Sequence, residues 1–190
     1  PRRTGRLFAH LGLASPGYVV VNEHTEGDRV ADLLDRARSG ATVVVVSDAG
    51  MPGVSDPGEW LVAQAVAAGV AVEVVPGPSA VLHALVASGL TTSRFVFEGF
   101  LPRKGGSRAE RLAEVAAERR TTVLFEAPHR LERTLVDLAA LCDPTRPVVL
   151  ARELTKLHEE FWRGTLADAV ERVREVEPRG EFVIVLGGMA

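Results

Sequence analysis

Ionisable side chains follow two predicted strands at the points where those strands end. Glu126, His129 and Arg130 come directly after the apolar run 121–125, and a dense charged group that includes Arg152 and Lys156 follows the run 147–151. A carboxylate, an imidazole and a guanidinium placed together can transfer a proton or position a polyanion. The same residues can form structural salt bridges or a solvated turn, and the pattern alone leaves both interpretations open.

Two Gly/Pro-rich loops lie between apolar runs and helical patterns, where α/β proteins bind ligands. The first, S-D-A-G-M-P-G-V-S-D-P-G, covers 47–58, and the second, V-P-G-P-S-A, covers 75–80. Glycine lets a ligand approach the backbone, so two such loops predict one ligand cradle at the strand ends. Neither loop has a P-loop or G-x-G-x-x-G pattern. Asp48 can bind a ligand or close an Asx-turn, and Ser79 can cap the next helix.

A basic, glycine-rich loop, P-R-K-G-G-S-R, follows the predicted strand 94–100 at positions 102–108. Lys104 and Arg108 in such a loop suit contacts with RNA phosphates, and solvated surface charge is the competing interpretation. Lys156, the second lysine of the chain, also lies beside a loop that follows a strand.

Composition bounds the class of protein. The formal net charge of −3 gives no global indication of nucleic-acid binding, although a local basic patch remains compatible with it. The single cysteine, Cys142, cannot form an internal disulfide, which together with the lack of a secretory leader favours the cytoplasm. No apolar run reaches the roughly 20 residues of a membrane helix, so we expect no membrane association. His158, Glu159 and Glu160 lack the H-E-x-x-H spacing, and no metal site is predicted.

Short apolar strand candidates alternate with helical patterns, which predicts α/β layers with mainly parallel pairing. The candidates 147–152 and 160–164 lack a full helix between them and predict an antiparallel part. A shift near 91–93 from an Ala/Val/Gly-rich to a charged composition predicts two domains, 1–92 and 93–190. The remaining strand candidates are 18–22, 42–47, 71–75, 94–100, 121–126 and 181–186.

Six ordered motifs resemble the ribosomal RNA small subunit methyltransferase I family of the tetrapyrrole methylase superfamily. They are the two Gly/Pro loops and E-G-F-L-P-R-K at 98–104, E-A-P-H-R at 126–130, A-R-E-L-T-K at 151–156 and R-G-E-F-V-I-V at 179–185. The resemblance spans essentially the whole chain. It implies two α/β domains sharing one cofactor site, the N-terminal sheet mostly parallel and the C-terminal sheet mixed. The family's first strand and its T-P-I-G-N loop are absent from this sequence.

The resemblance also implies the chemistry. These enzymes use S-adenosylmethionine to methylate the ribose 2′-hydroxyl of a cytidine in 16S ribosomal RNA. Candidates for the general base are Glu126, His129 and Lys156, and candidates for substrate phosphate contacts are Lys104, Arg108, Arg130 and Arg152. The expected cofactor-binding residues, with Asp48 added from its loop position, are Asp48, Met51, Val54, Ser79, Ala80, Phe125, Ala151, Gly180 and Glu181.

The expected partner is 16S ribosomal RNA or the small ribosomal subunit. A homodimer is implied by the resemblance and favoured by the helical pattern Val81, Leu82, Leu85 and Val86, which is apolar on more than one side. Two alternatives stay open. One is a methyltransferase of the same fold that acts on a tetrapyrrole or another small molecule, and the other is a non-catalytic, dimeric RNA-binding fragment.

Overall fold

The computed structural model describes residues 2–14, 17–21, 26–47 and 50–189. The chain forms two compact units, Pro1–Pro78 and Ser79–Ala190. The composition shift instead predicts a boundary after Thr92. Helix α4, Ala80–Ser88, lies between these two positions and packs on the sheet of the second unit. A domain boundary after Thr92 therefore stays a prediction.

The described residues of the first unit form three helices, α1 (Arg2–His10), α2 (Glu26–Arg38) and α3 (Glu59–Ala67). Helices α2 and α3 pack together through a small core of Val30, Leu33 and Leu61. The periodic apolar positions in the sequence predict both of these helices, because residues three and four apart lie on one helical face.

The three strand candidates of the first unit are not paired as strands within the described residues 18–21, 42–47 and 71–75. The expected N-terminal parallel sheet is therefore not formed in this part of the structure. Val44 and Val75 leave 75% and 86% of their surface exposed. A strand obtains its hydrogen bonds from a neighbouring strand, and an apolar sequence does not by itself supply that neighbour.

The second unit contains a five-stranded mixed sheet in the order β1-β2-β5-β3-β4. Strands β1 and β2 are parallel, and the other neighbours are antiparallel, including β3 with β4. This confirms the α/β class, the mixed C-terminal sheet and the antiparallel pair. The elements are β1 (Phe95–Phe100), α5 (Gly106–Ala117), β2 (Thr121–Glu126), α6 (Pro128–Ala139), β3 (Pro147–Arg152), β4 (Glu160–Thr165), α7 (Leu166–Glu175) and β5 (Phe182–Leu186).

Both faces of this sheet are buried. Alternate residues of a strand point to opposite faces, so Leu124 and Ile184 pack under α5, α6 and α7, while Val123 and Val185 pack under α4. A strand that is covered on both faces needs apolar residues at every position. This requirement explains the continuous apolar runs of β2, β3 and β5.

The buried Arg146 connects the end of α5 to the end of the sheet at which β3 begins and β5 ends. The Arg146 guanidinium donates hydrogen bonds to the carbonyl oxygens of Ala116, Glu118 and Gly187 at 2.8, 2.9 and 2.5 Å. A cation is favourable near the carboxyl end of a helix such as α5. At the neighbouring Gly188, a Cβ would lie 2.0 Å from the Arg119 carbonyl oxygen, so only glycine fits there.

Candidate active site

The candidate site lies at the end of the sheet that is formed by the carboxyl ends of β1, β2 and β3. Four of the residues there are directly paired across the sheet, in the order Phe125, Val183, Ala151 and Phe161. All four belong to the apolar cluster beneath α4, and Phe125 and Phe161 are only partly buried in it. We call these four residues the edge row. The structure thus brings Phe125 and Ala151, two expected cofactor-binding residues, to one edge and one face.

Helix α4 begins beside the same apolar cluster. The Ser79 hydroxyl accepts a hydrogen bond from the Leu82 N–H at 3.5 Å, which makes Ser79 the N-cap. Ala80 is partly buried and packs against the cluster that contains the edge row. The first N–H groups of a helix have no acceptor within the helix, so this turn has donors available for a ligand.

Glu126 ends β2 and has a structural environment. Its side chain is 1% exposed, and one carboxylate oxygen faces Arg130 Nε at 3.2 Å and accepts the Ala127 N–H at 2.9 Å. The other oxygen accepts the Thr134 hydroxyl at 2.6 Å. Arg130 also donates to the Leu101 carbonyl oxygen at 2.6 Å. The E-A-P-H-R motif therefore forms the salt bridge that the sequence left open.

Arg108 continues this buried network, which contradicts the phosphate contact expected of it. The residue is 3% exposed, and its guanidinium binds the Asp137 carboxylate at 2.8 Å and the Thr134 hydroxyl at 3.1 Å. A third hydrogen bond, 3.0 Å long, reaches the Pro102 carbonyl oxygen. Removing such a guanidinium from its partners would leave buried polar groups unpaired, so Arg108 holds the basic loop in place instead of binding a substrate.

Glu153, Lys156 and Glu181 form an ion cluster where β3 ends and β5 begins. The Lys156 ammonium donates to Glu153 Oε1 at 2.8 Å and to Glu181 Oε2 at 2.9 Å. The Glu181 N–H also donates to Glu153 Oε1, at 2.8 Å. The sequence identified Lys156 and Glu181 as site residues but missed Glu153, which joins the two.

The contacts within this ion cluster shift the pKa values of Glu153 and Lys156. Hydrogen bonds to Glu153 and Glu181 raise the pKa of Lys156 above its ordinary value. Hydrogen bonds from Lys156 and from the Glu181 backbone lower the pKa of Glu153. Lys156 is therefore a cation at neutral pH, a state that suits binding an anion and does not suit accepting a proton.

The backbone around Glu153 is strained. Glu153 and Thr155 have φ angles of 49° and 64°, in the left-handed region that non-glycine residues rarely adopt. Gly180 makes room for this geometry, because a Cβ there would lie 2.5 Å from Glu153 Cγ. Strain of this kind persists where the surroundings hold it, and it is concentrated at functional sites. Gly180 and Glu181, both expected at the cofactor, thus lie against the end of β3.

The other expected catalytic and substrate-binding residues differ in accessibility. Lys104 and His129 are exposed, and the structure shows no hydrogen bond or ion pair for either side chain in the described part of the chain. Arg152 is half-buried and donates from Nε to the Arg179 carbonyl oxygen at 2.7 Å, with Glu160 Oε2 3.5 Å away. Lys104 and His129 therefore have polar side-chain atoms that are open to a substrate.

In the first unit, Asp48 lies outside the described residues. Met51 and Val54 belong to the first Gly/Pro loop. Met51 is partly buried, and Val54 is exposed. The Val54 N–H donates a hydrogen bond to the Met51 carbonyl oxygen at 3.3 Å. Gly50, Gly53 and Gly58 have positive φ angles, and the loop path therefore depends on glycine.

No group of three metal-ligating side chains is found within residues 2–14, 17–21, 26–47 and 50–189. Among the same residues, no helix is long and apolar enough to cross a membrane.

Comparison with known proteins agrees with this architecture. Residues 12–170 match the profile of the tetrapyrrole (corrin/porphyrin) methylases. A crystal structure of uroporphyrin-III C-methyltransferase from Thermus thermophilus, in complex with S-adenosylhomocysteine, superposes with a TM-score of 0.59 at 28% identity. That match covers 91% of this chain and 78% of the other. The class that the fold defines is thus a tetrapyrrole methylase.

Two curated relatives narrow the class. Ribosomal RNA small subunit methyltransferase I of Mycobacterium bovis is 49% identical over 100% of this chain and 66% of its own length. The protein of that name from Synechocystis sp. is 46% identical over 98% of this chain and 67% of its own length. The chain belongs to the ribosomal RNA small subunit methyltransferase I family of tetrapyrrole methylases, and it spans about two thirds of the length of these relatives.

Proposed function

We propose that this chain is the main part of an enzyme that transfers a methyl group from S-adenosylmethionine to the ribose 2′-hydroxyl of a cytidine in 16S ribosomal RNA. The observation that carries the proposal is the edge row beside the start of α4, within a chain of this family. It combines a partly open apolar surface with backbone donors, which are the two requirements of a nucleoside-like cofactor.

The residues of the second unit fit this cofactor. The faces of Phe125 and Phe161 and the small side chains of Ala80 and Ala151 suit contact with a flat adenine ring. The first turn of α4 and the cations near the end of β3 suit its polar groups. The cofactor would supply an electrophilic methyl group on its sulfonium. Contacts of Asp48, Met51, Val54, Ser79, Gly180 and Glu181 with the cofactor stay proposals of the same kind.

Of the three candidate bases, His129 fits best. Both carboxylate oxygens of Glu126 already accept hydrogen bonds in a buried network, and Lys156 is held protonated by its two carboxylate partners. His129 is exposed at the start of α6, where β2 ends, and an imidazole can accept a proton near neutral pH. We infer that His129 would take the proton of the 2′-hydroxyl as the ribose oxygen bonds to the methyl carbon, while the carbon–sulfur bond of the sulfonium would break and leave S-adenosylhomocysteine.

The contacts with RNA follow from charge and accessibility. Lys104 extends from an exposed basic loop, and Arg152 and Arg130 lie near the strand ends with one face toward solvent. We infer that Lys104 binds a phosphate directly. Arg130 already pairs with Glu126 and the Leu101 carbonyl, so its first role is to fix the end of β2.

We also infer a homodimer that acts in the cytoplasm. Helix α4 buries Val81 and Leu85 on the sheet and exposes Leu82 and Val86, by 52% and 72%. Two large apolar residues one turn apart on an exposed face are suited to a protein contact. A cytoplasmic location follows from the proposed substrate.

The test is mass mapping of ribose methylation in small-subunit RNA from a strain that lacks the gene. We expect the native protein to restore one 2′-O-methylcytidine and His129→Gln to restore much less, with Glu132→Gln on the exposed side of α6 as the matched control. If the native protein restores no methylation while it methylates a tetrapyrrole, the small-molecule alternative replaces this proposal.

A further inference from the structure

A pocket lies on the sheet face that α7 covers, next to the carboxyl end of β3. It has a volume of about 430 Å³, within the range of small-molecule sites. We propose that this pocket binds a nucleobase of the substrate RNA at a position flanking the methylated nucleotide. The inference rests on the proposed function, because it assigns an additional RNA contact to the same enzyme.

The base of the pocket is apolar and one wall is aromatic. Leu150, Val173 and Phe182 belong to the buried core and line the pocket, and Trp162 packs against that core from its rim. A Cβ on Gly164 would lie 2.6 Å from the Trp162 ring, so glycine allows the indole to lie close against β4. The Arg172 guanidinium lies 5.8 Å from the ring centroid. Gly164 and Arg172 thus fix the position of the indole, whose ring forms the aromatic wall of the pocket.

The charges of the pocket suit a neutral ligand. Three arginines and three glutamates line it, so its formal net charge at neutral pH is zero. Each of the three arginines is paired: Arg152 lies 3.5 Å from Glu160, Arg172 contacts the same carboxylate, and Arg179 binds Glu177 at 2.8 Å. An isolated phosphate would have to displace these carboxylates. A nucleobase is flat and uncharged, and its edge can use both the donors and the acceptors.

The pocket lies across the sheet from the edge row. Ala151 and Arg152 are consecutive in β3 and point to opposite faces, with Ala151 beneath α4 and Arg152 lining the pocket. A base in the pocket is therefore not the one whose ribose is methylated. Remote binding of this kind contributes equally to the ground state and the transition state, so its loss raises KM and leaves kcat unchanged.

The direct test uses Trp162 as its own reporter. The chain contains two tryptophans, and Trp60→Phe leaves Trp162 as the single tryptophan, which is excited selectively over the one tyrosine, Tyr18. We expect a single-stranded oligoribonucleotide to quench its fluorescence saturably, and an abasic ribose-phosphate oligomer of equal length to leave it unchanged. Equal quenching by both oligomers would overturn the proposal. So would RNA that binds in a filter assay without changing the fluorescence.

The second test changes the pocket. Trp162→Ala should weaken oligoribonucleotide binding about tenfold, and Trp162→Phe should keep most of it, because stacking tolerates the smaller ring. Leu141→Ala, at an exposed residue outside the pocket, is the matched control. If Trp162→Ala does not fold, Val176→Trp, which fills the pocket from its exposed rim, should cause a similar loss.

The two proposals fail differently. Unchanged KM and RNA affinity in folded Trp162→Ala or Val176→Trp, with methyl transfer intact, would overturn only the pocket. Absence of both RNA binding and methyl transfer in the native protein would overturn the pocket together with the proposed function.

Discussion

The two units of this chain bury very different amounts of polar and apolar structure. Among the described residues, the buried apolar side chains of the first unit are Val30, Leu33, Leu61 and Ala65, whereas the second unit covers a five-stranded sheet on both faces. All buried polar and charged side chains found in the described residues also lie in the second unit. A buried polar group must keep its hydrogen-bond partners. In the second unit these hydrogen bonds therefore fix how the core side chains pack.

The comparison of the two units shows that an apolar run of sequence does not by itself form a β-strand. The run Val43–Val46 is richer in valine than β3, yet it is β3 that pairs on both sides and is buried. Because most strand stability comes from cross-strand partners and burial, the neighbours decide which apolar run becomes a strand.

The largest predicted effect compares the two cores. Leu131 is fully buried among the residues of the larger cluster, and Leu131→Ala should lower the free energy of unfolding by about 2–5 kcal/mol. Leu33→Ala, in a cluster of three buried residues, should cost less, because more of the site can relax. Urea denaturation followed by circular dichroism measures both. An equal or greater loss for Leu33→Ala would remove the distinction between the units.

The next prediction concerns the buried network of the second unit. Arg108→Met removes the donors to Asp137, Thr134 and Pro102 and should destabilise the protein by about 1–3 kcal/mol, the cost of leaving buried polar groups unpaired. Lys104→Met, in the same loop but exposed, should leave stability within about 0.5 kcal/mol of native and reduce the salt slope of RNA binding by about one. The opposite pattern would return Arg108 to the phosphate-binding residues.

The smallest effect is a pH dependence at the ion cluster. The lowered pKa of Glu153 means that its contribution to stability is complete above the ordinary value of 4.5 and is lost as the pH falls through the lowered value. The raised pKa of Lys156 means that its contribution is complete below 10.5 and is lost as the pH rises through the raised value.

Native protein and Glu153→Gln should therefore differ by a constant amount, up to about 1 kcal/mol, between roughly pH 5 and 10, and the difference should shrink outside this window. Chemical denaturation at a series of pH values gives this difference directly. Glu110→Gln, on an exposed helix surface, removes the same charge and should show no such window. A difference that does not shrink as the pH is lowered step by step below 4.5 would mean that the cluster is not responsible.

The sequence predicted β2 and β3 to the residue, because double-sided burial requires continuous apolar runs and turn residues delimit them. The family resemblance named Phe125 and Ala151 as cofactor-binding residues, and their role at the cofactor stays a prediction. The sequence failed on Arg108, whose burial depends on Thr134 and Asp137 more than 25 residues away. It missed Glu153 for a similar reason, since a left-handed backbone and the space above Gly180 appear only after β3 and β5 pair.

Hydrogen exchange with and without S-adenosylmethionine tests the central claim most directly, namely that the edge row and the start of α4 hold the cofactor. We predict slower exchange at the amides of Ala80–Leu82, Glu126–Ala127 and Arg152–Glu153 when the cofactor is saturating. The opposite sheet edge around Arg146 and Gly187 should be unchanged, because it lies at the other end of the strands. Protection at Arg146 and Gly187, with none at the edge row, would contradict the account.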